Sequence, residues 1–283
     1  MLCLAFWTVV VIVGAFGLVA CVNRLRFARR VASEAKALLT ISGEARPIDR
    51  ARLATLPSPV RRYLEKAVGS RERAVRTVRL RHGGTFRTSL DGEWLPIRGE
   101  QYFAADPPGF IWSGRIAMMP GPWVEARDRS VGGTGSMLVR VGSTFTLADA
   151  RGPELDQGAL LRLLGEMLWF PTAFLDQRYV TWAPLDERSA TARLRVGGRE
   201  VSGVYEFGED GLPTAFRADR YRDLGGGRSA LTPFTGESGD FRDEGGLLVP
   251  HRMTALWHVG EEAVPYARFL VERLEYDPTA PCA

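Results

Sequence analysis

Glu154, Asp156 and Glu166 have the side-chain type that acid–base chemistry would use. They flank or occupy one apolar stretch, GPELDQGALLRLLGEMLWFPTAFL, residues 152–175. A carboxylate projecting from it into an apolar cavity would have a raised pKa and suit a general acid. The plainer reading pairs Glu166 with Arg162, four residues earlier, at the edge of a buried face, for a few tenths of a kcal/mol. Nothing in the carboxylate spacing favours a glycosidase pair. GTGSM and TGESG are the strings nearest to a nucleophile elbow, and neither has its spacing. Gly132-Gly133-Thr134-Gly135-Ser136 resembles a phosphate loop, but no Lys follows and no helix opens after it, so a hairpin turn is expected. Of the three histidines, His251 and His258 fall seven apart, and His258 has the opposite parity to Met253 and Trp257. With His82 they read as rim or surface residues rather than ligands. Cys3, Cys21 and Cys282 stand outside the body, which therefore has no thiolate metal site or disulfide framework. No metal or cofactor is expected. Trp94, Trp112, Trp123, Trp169, Trp182 and Trp257 read as core or sheet-face residues, or as the lining of an apolar cavity.

The elements that must position these residues follow from periodicity. Leu2 to Val22 is an uncharged run of 21 residues. At 1.5 Å per residue it matches a hydrocarbon core of about 30 Å, which predicts a transmembrane helix over 1–22. A basic juxtamembrane helix and broken linker occupy 23–57. In SPVRRYLEKAVG, Ser58 suits an N-cap, Pro59 the first turn and Gly69 the stop. From residue 75 the period becomes two. Val78 and Leu80 alternate with Arg79 and Arg81, Leu194 and Val196 with Arg193 and Arg195, and Met253, Ala255, Trp257 and Val259 form another face. This predicts an antiparallel sheet of about ten strands. An inserted helix over 155–170, with Asp156 as its cap and Pro171 as its stop, presents Leu160, Leu163, Leu164, Met167 and Leu168. The predicted fold is therefore mainly β (α+β): a transmembrane helix, then a large curved antiparallel sheet or half-barrel covered by the inserted helix and a short N-terminal helix. One β-rich domain spans 58–277, and 278–283 is a tail.

Charge is uneven. Residues 23–81 carry 16 Lys and Arg against 5 Asp and Glu; the following residues carry 21 against 28. A basic stalk beside an apolar run and an acidic body points to an anionic lipid surface, at roughly 1 kcal/mol per basic residue. Aromatics are not interleaved with the basic run, which argues against nucleic acid. Two signals overlap at LVACVNRLRFARR. Leu18-Val19-Ala20-Cys21 has the shape of a lipobox. Arg24, Arg26, Arg29 and Arg30 read as the membrane-surface stop that keeps the following body in the cytoplasm. The arginines are favoured, so a single-pass protein of the cell membrane with a cytoplasmic body is expected. An exported body, lipidated at Cys21 or held by an uncleaved anchor, is the alternative.

The strings LPSPVRRYL (56–64), GFIW (109–112), RDRSVGGTGSM (127–137), GPELDQGALLRLLGEMLWFP (152–171) and EY (275–276) resemble an uncharacterised bacterial family of the domain-of-unknown-function kind, with an N-terminal hydrophobic helix and an Arg-rich flank. That resemblance implies no catalytic residue. The order helix, strands, inserted helix, strands is similar to lipoprotein-carrier half-barrels of the LolA and LppX type, which hold acyl chains between a curved sheet and helices.

These readings lead to a membrane-anchored, non-enzymatic protein whose partners are membrane lipid and an apolar or lipid-like ligand, the latter lined by Leu163, Glu166, Met167, Trp169 and Phe170. The other classes are an envelope hydrolase using Glu166 or Asp156 as acid/base, and an interaction protein with no cavity.

Overall fold

The fold is carried by thirteen strands in one antiparallel sheet, in a computed structural model that describes residues 2–118 and 123–278. Met1, residues 119–122 and the tail beyond 278, Cys282 included, lie outside them. The first half comprises β1 (Thr77–Phe86), β2 (Leu95–Ala105), β3 (Pro108–Ile116), β4 (Val124–Val131), β5 (Thr134–Val141) and β6 (Phe145–Ala150). The second comprises β7 (Val180–Pro184), β8 (Ser189–Val196), β9 (Arg199–Phe207), β10 (Pro213–Gly225), β11 (Arg228–Glu244), β12 (Leu247–Val259) and β13 (Glu262–Tyr276). Each half is a meander, and the seam between them is β1 against β13. The edges are β6 and β7.

The hairpin turns are those the glycines dictate. Gly132-Gly133 joins β4 to β5 and Gly197-Gly198 joins β8 to β9, all four at positive φ, as two-residue primed turns require. The two turns also touch backbone to backbone. A Cβ on Gly197 would lie 1.9 Å from the Gly132 carbonyl oxygen, so only glycine admits this approach. The sheet thus curls until the tips of hairpins from its two halves meet, although its edge strands stay apart.

The concave side holds the main core. Val78 and Leu80 on β1, Phe103 on β2, Phe110 on β3 and Leu194 on β8 are fully buried there. Helix α2 (Ser58–Val68) closes one end through Val60, Tyr63, Leu64 and Ala67. The inserted helix, α3 (Pro153–Glu166), crosses the concavity and passes into 3-10 turns at Met167–Trp169 and Pro171–Leu175. The expected helix over 155–170 is thus broken before Phe170, whose ψ of 67° is non-helical ahead of Pro171. Asp156 does not cap it. Gly152 is the N-cap, and the Asp156 carboxylate accepts from the Gly135 N–H at 2.7 Å and pairs with Arg199 at 2.9 Å.

The N-terminal expectation is corrected. Among the described residues no helix is long and apolar enough to cross a membrane. This overturns the single-pass span over 1–22 and the placement of the body on its cytoplasmic side. The helix expected to continue past the arginines does so, as α1 (Leu2–Ile41). Its second half packs on the convex side of β2 and β3, burying Phe27, Ala35 and Leu38, the last two against Tyr102, Ala104 and Ile111. Arg24, Arg26, Arg29 and Arg30 are exposed along this helix rather than gathered at its end. Arg30 pairs with Glu34 at 3.2 Å, and Glu34 also meets Arg127 at 3.4 Å and Arg129 at 3.7 Å. Cys21 is an exposed thiol within α1.

Candidate functional site

The residues expected to line a cavity on the inserted segment are core residues. Leu163, Met167 and Phe170 are fully buried, and Trp169 is nearly so. Phe170 packs on Phe103 at 5.0 Å between ring centroids. Aromatic donors pin the segment: Trp169 Nε1 donates to the Pro250 carbonyl at 2.9 Å, Tyr205 to that of Leu164 at 2.6 Å, and Tyr276 to that of Trp169 at 2.9 Å. These residues plug one half of the concave face.

Glu166 stands apart from them in a polar cluster under α3. The Arg162 guanidinium donates to Glu166 at 2.8 Å, to Asp128 on β4 at 2.8 Å and to the Gln101 side-chain oxygen on β2 at 3.1 Å. Gln101 returns a bond to Glu166 at 2.6 Å. The guanidinium face lies over Phe110 and Trp112, at 4.9 and 5.1 Å. Burial outweighs these partners at Glu166 and holds its carboxyl above the usual carboxylate range. Burial alone would lower Arg162, but the Glu166 and Asp128 carboxylates raise it, so it stays charged. Asp156 lies ten residues earlier on α3, about 15 Å along the axis, too far to form a carboxylate pair with Glu166 across one bond.

Trp112 extends the cluster. Its Nε1 donates to His82 Nε2 at 2.9 Å, and the other imidazole nitrogen faces the Gly83 carbonyl at 3.3 Å. The missing side chain at Gly99 makes room, because a Cβ there would lie 2.2 Å from His82 Nε2. His82 is therefore buried, as is His251 beside Glu244 at 3.1 Å, and the expected rim position holds only for half-buried His258. Burial lowers the His82 pKa to about 4. An unfolded chain, with His near 6.5, takes up a proton below that pH which the folded chain refuses down to about 4. The stability contribution is thus full above pH 6.5, is lost as pH falls toward 4, and totals about 3 kcal/mol. Urea midpoints from pH 7.5 to 4 should fall further for wild type than for His82→Gln; parallel curves would contradict the buried neutral imidazole.

Beyond this cluster the concave face is only half covered. A ladder of rings crosses four strands: Phe234 on β11 meets Trp257 on β12 at 5.3 Å, Trp257 stacks on Tyr266 of β13 at 5.8 Å, and Tyr266 meets Phe86 of β1 at 5.9 Å. Met253, Ala255, Phe269 and Ala218 lie beside it, all half-buried, as are Tyr266 and Phe86. α3 forms one wall, where Gly158 approaches Arg220 of β10. Alternation at 253–259 pointed to the Met253–Trp257 face. The ladder itself has no sequence signature, because its rings come from four strands and meet through register and a bulge at Ala255/Leu256.

A separate cleft of about 330 Å³ runs beside residues 42–49, 74–76, 105–106, 172–173 and 175–178. Burial would raise the Asp106 carboxyl in its wall, but hydrogen bonds from Arg178 and Tyr179, both at 2.7 Å, hold it below the ordinary carboxylate range. Among the described residues no group of His, Cys, Asp and Glu is arranged to hold a metal.

The model of a family of unknown function matches residues 46–269. No curated protein matches the chain. Among solved structures, a putative outer membrane lipoprotein-sorting protein domain from Vibrio parahaemolyticus aligns at 9% identity and a TM-score of 0.38, covering 73% of this chain and 87% of that one. A LolA superfamily protein from Nitrosomonas europaea aligns at 11% identity and a TM-score of 0.39, covering 77% and 91%. A β-barrel-like protein of another family of unknown function, DUF1849, from Brucella abortus aligns at 12% identity and a TM-score of 0.23, covering 72% and 99%.

Proposed function

The chain belongs to the family of unknown function DUF6544, and from its own geometry we propose that the open half of the concave face binds an apolar, lipid-like ligand. The observation that carries this reading is the aromatic ladder, buried at Phe234 and Trp257 but only half-covered at Tyr266 and Phe86, with half-buried Met253 and Phe269 beside it. Apolar side chains on a concave surface left accessible at this density mark a ligand groove more often than a finished core. Leu163, Met167, Trp169 and Phe170 enter the reading as the plug that ends the groove. Glu166, held by Arg162, fixes α3 as its wall. An acyl chain laid along the ladder replaces water on those rings and gains the ordinary hydrophobic increment, about 0.8 kcal/mol per buried methylene.

The test uses the full-length chain and cis-parinaric acid, a fluorescent acyl probe. Wild type should bind it saturably. Phe269→Gln, at a half-exposed position, should weaken binding about tenfold, the loss of roughly 1.5 kcal/mol of apolar contact, while its thermal melt stays close to wild type. A wild-type chain that neither binds the probe nor carries lipid on purification refutes the proposal.

A further inference from the structure

Arg220 and Arg222 alternate along β10 on the same face as Phe216 and Ala218, the face turned to the concavity. Both are half-buried. Arg220 lies over the rings of Phe234 and Trp257, at 5.3 and 5.8 Å. Such stacking engages the guanidinium face and leaves its N–H edges free to donate. The Nε of each arginine is buried with no acceptor, and among the described residues neither arginine forms an ion pair. Arg162, also under α3, shows the contrast: it is matched by two carboxylates and an amide. Two like charges about 7 Å apart on one strand, at the end of an apolar ladder, repel each other until an anion sits between them. A buried donor without an acceptor asks for an explanation in function or in a bound group.

We propose that Arg220 and Arg222 form an anionic head-group site, so that the groove's ligand is an amphipathic anion: an acyl chain along the aromatic ladder, ending in a carboxylate or a phosphate at the two guanidiniums. The inference rests on the groove reading above and names its ligand class. Fork-shaped guanidinium edges suit both heads, since each offers paired oxygens.

The experiment compares cis-parinaric acid with its uncharged methyl ester on the full-length chain. Wild type should bind the acid about tenfold more tightly, the worth of one charge-assisted hydrogen bond or more. The gap should narrow as salt rises from about 20 to about 500 mM. Arg220→Gln with Arg222→Gln should bind acid and ester alike, with a thermal melt close to wild type's reporting that the chain remains folded. Arg220→Lys should retain part of it. Displacement of bound probe by oleate, by 1-oleoylglycerol 3-phosphate and by neutral monoolein then separates a carboxylate head from a phosphate head; monoolein displacing as well as both anions would overturn the proposal. Equal binding of acid and ester overturns the head-group site and leaves the groove reading standing. A preference that survives in the double Gln variant overturns the assignment to these arginines. Binding of neither probe overturns the groove reading and this inference together.

Discussion

Replacing Arg162 by Met should destabilise the folded chain by about 3–5 kcal/mol, the usual effect of stranding a buried charge. The guanidinium is the cation that Glu166, Asp128 and Gln101 share. Without it two carboxylates remain under α3, against Phe110 and Trp112, with no positive partner in the cluster. Either they take up protons or water enters beneath the helix, and each route weakens the packing of α3 on β2–β4. The triple change Arg162→Met, Glu166→Leu, Asp128→Asn should recover most of the loss, because removing both sides of a buried pair together is close to neutral. Urea denaturation at pH 7 measures both. A single-variant loss under about 1 kcal/mol, typical of exposed pairs, would show that the cluster is solvated.

Trp257→Ala should cost about 3–5 kcal/mol, the range for deleting a buried indole. The side chain is 8% exposed and sits between Phe234 and Tyr266 in the ladder, with Arg220 at its face. Its neighbour His258 points to the other side of β12 and bonds Thr235 at 2.8 Å. His258→Ala should therefore cost no more than about 1 kcal/mol, one hydrogen bond. Thermal and urea melts of the two variants side by side check the register Phe234↔Trp257. Equal or reversed costs would place the wrong face of β12 on the concavity.

Much of this architecture is legible in the residues themselves. The change of period at residue 75, the Gly-Gly turns at 132 and 197, the apolar inserted helix and the inward parity of Trp257 are all local signals, and local signals survive in a sequence. What was not legible depends on distant pairing. Arg162 and Glu166 are four apart and were readable as a pair, but Asp128 and Gln101 are 34 and 61 residues from Arg162. Nothing local says that four side chains from three elements converge. His82 read as a rim residue because neither Trp112 nor the space over Gly99 can be foreseen from its neighbours. The N-terminal arginines misled for a related reason. Basic residues after an apolar run look the same whether the helix that carries them leaves a membrane or lies on a sheet, and the groups that decide it, Glu34 on the helix with its partners Arg127 and Arg129 on β4, lie outside the run. Arg220 and Arg222 do not stand out in an Arg-rich chain, since only register shows that they share a face with rings.

The seam between β1 and β13 carries a consequence for the order in which the protein is made. Thr77 and its partner Asp277 are 200 residues apart. At about 5–20 residues per second of synthesis, the strand that completes the sheet's middle arrives roughly 10–40 s after β1. Through that interval β2–β6 can zip up, yet β1 offers a bare row of N–H and C=O groups to any neighbouring chain. Arg79 and Arg81 stand on its convex side and place charge along that row, as gatekeepers against premature pairing. In the finished fold Arg79 is matched by Glu100 at 2.6 Å and by Glu275 at 3.2 Å, the second a residue of β13 itself. The charge that keeps the nascent edge soluble becomes, on arrival of its partner, the one that locks the seam.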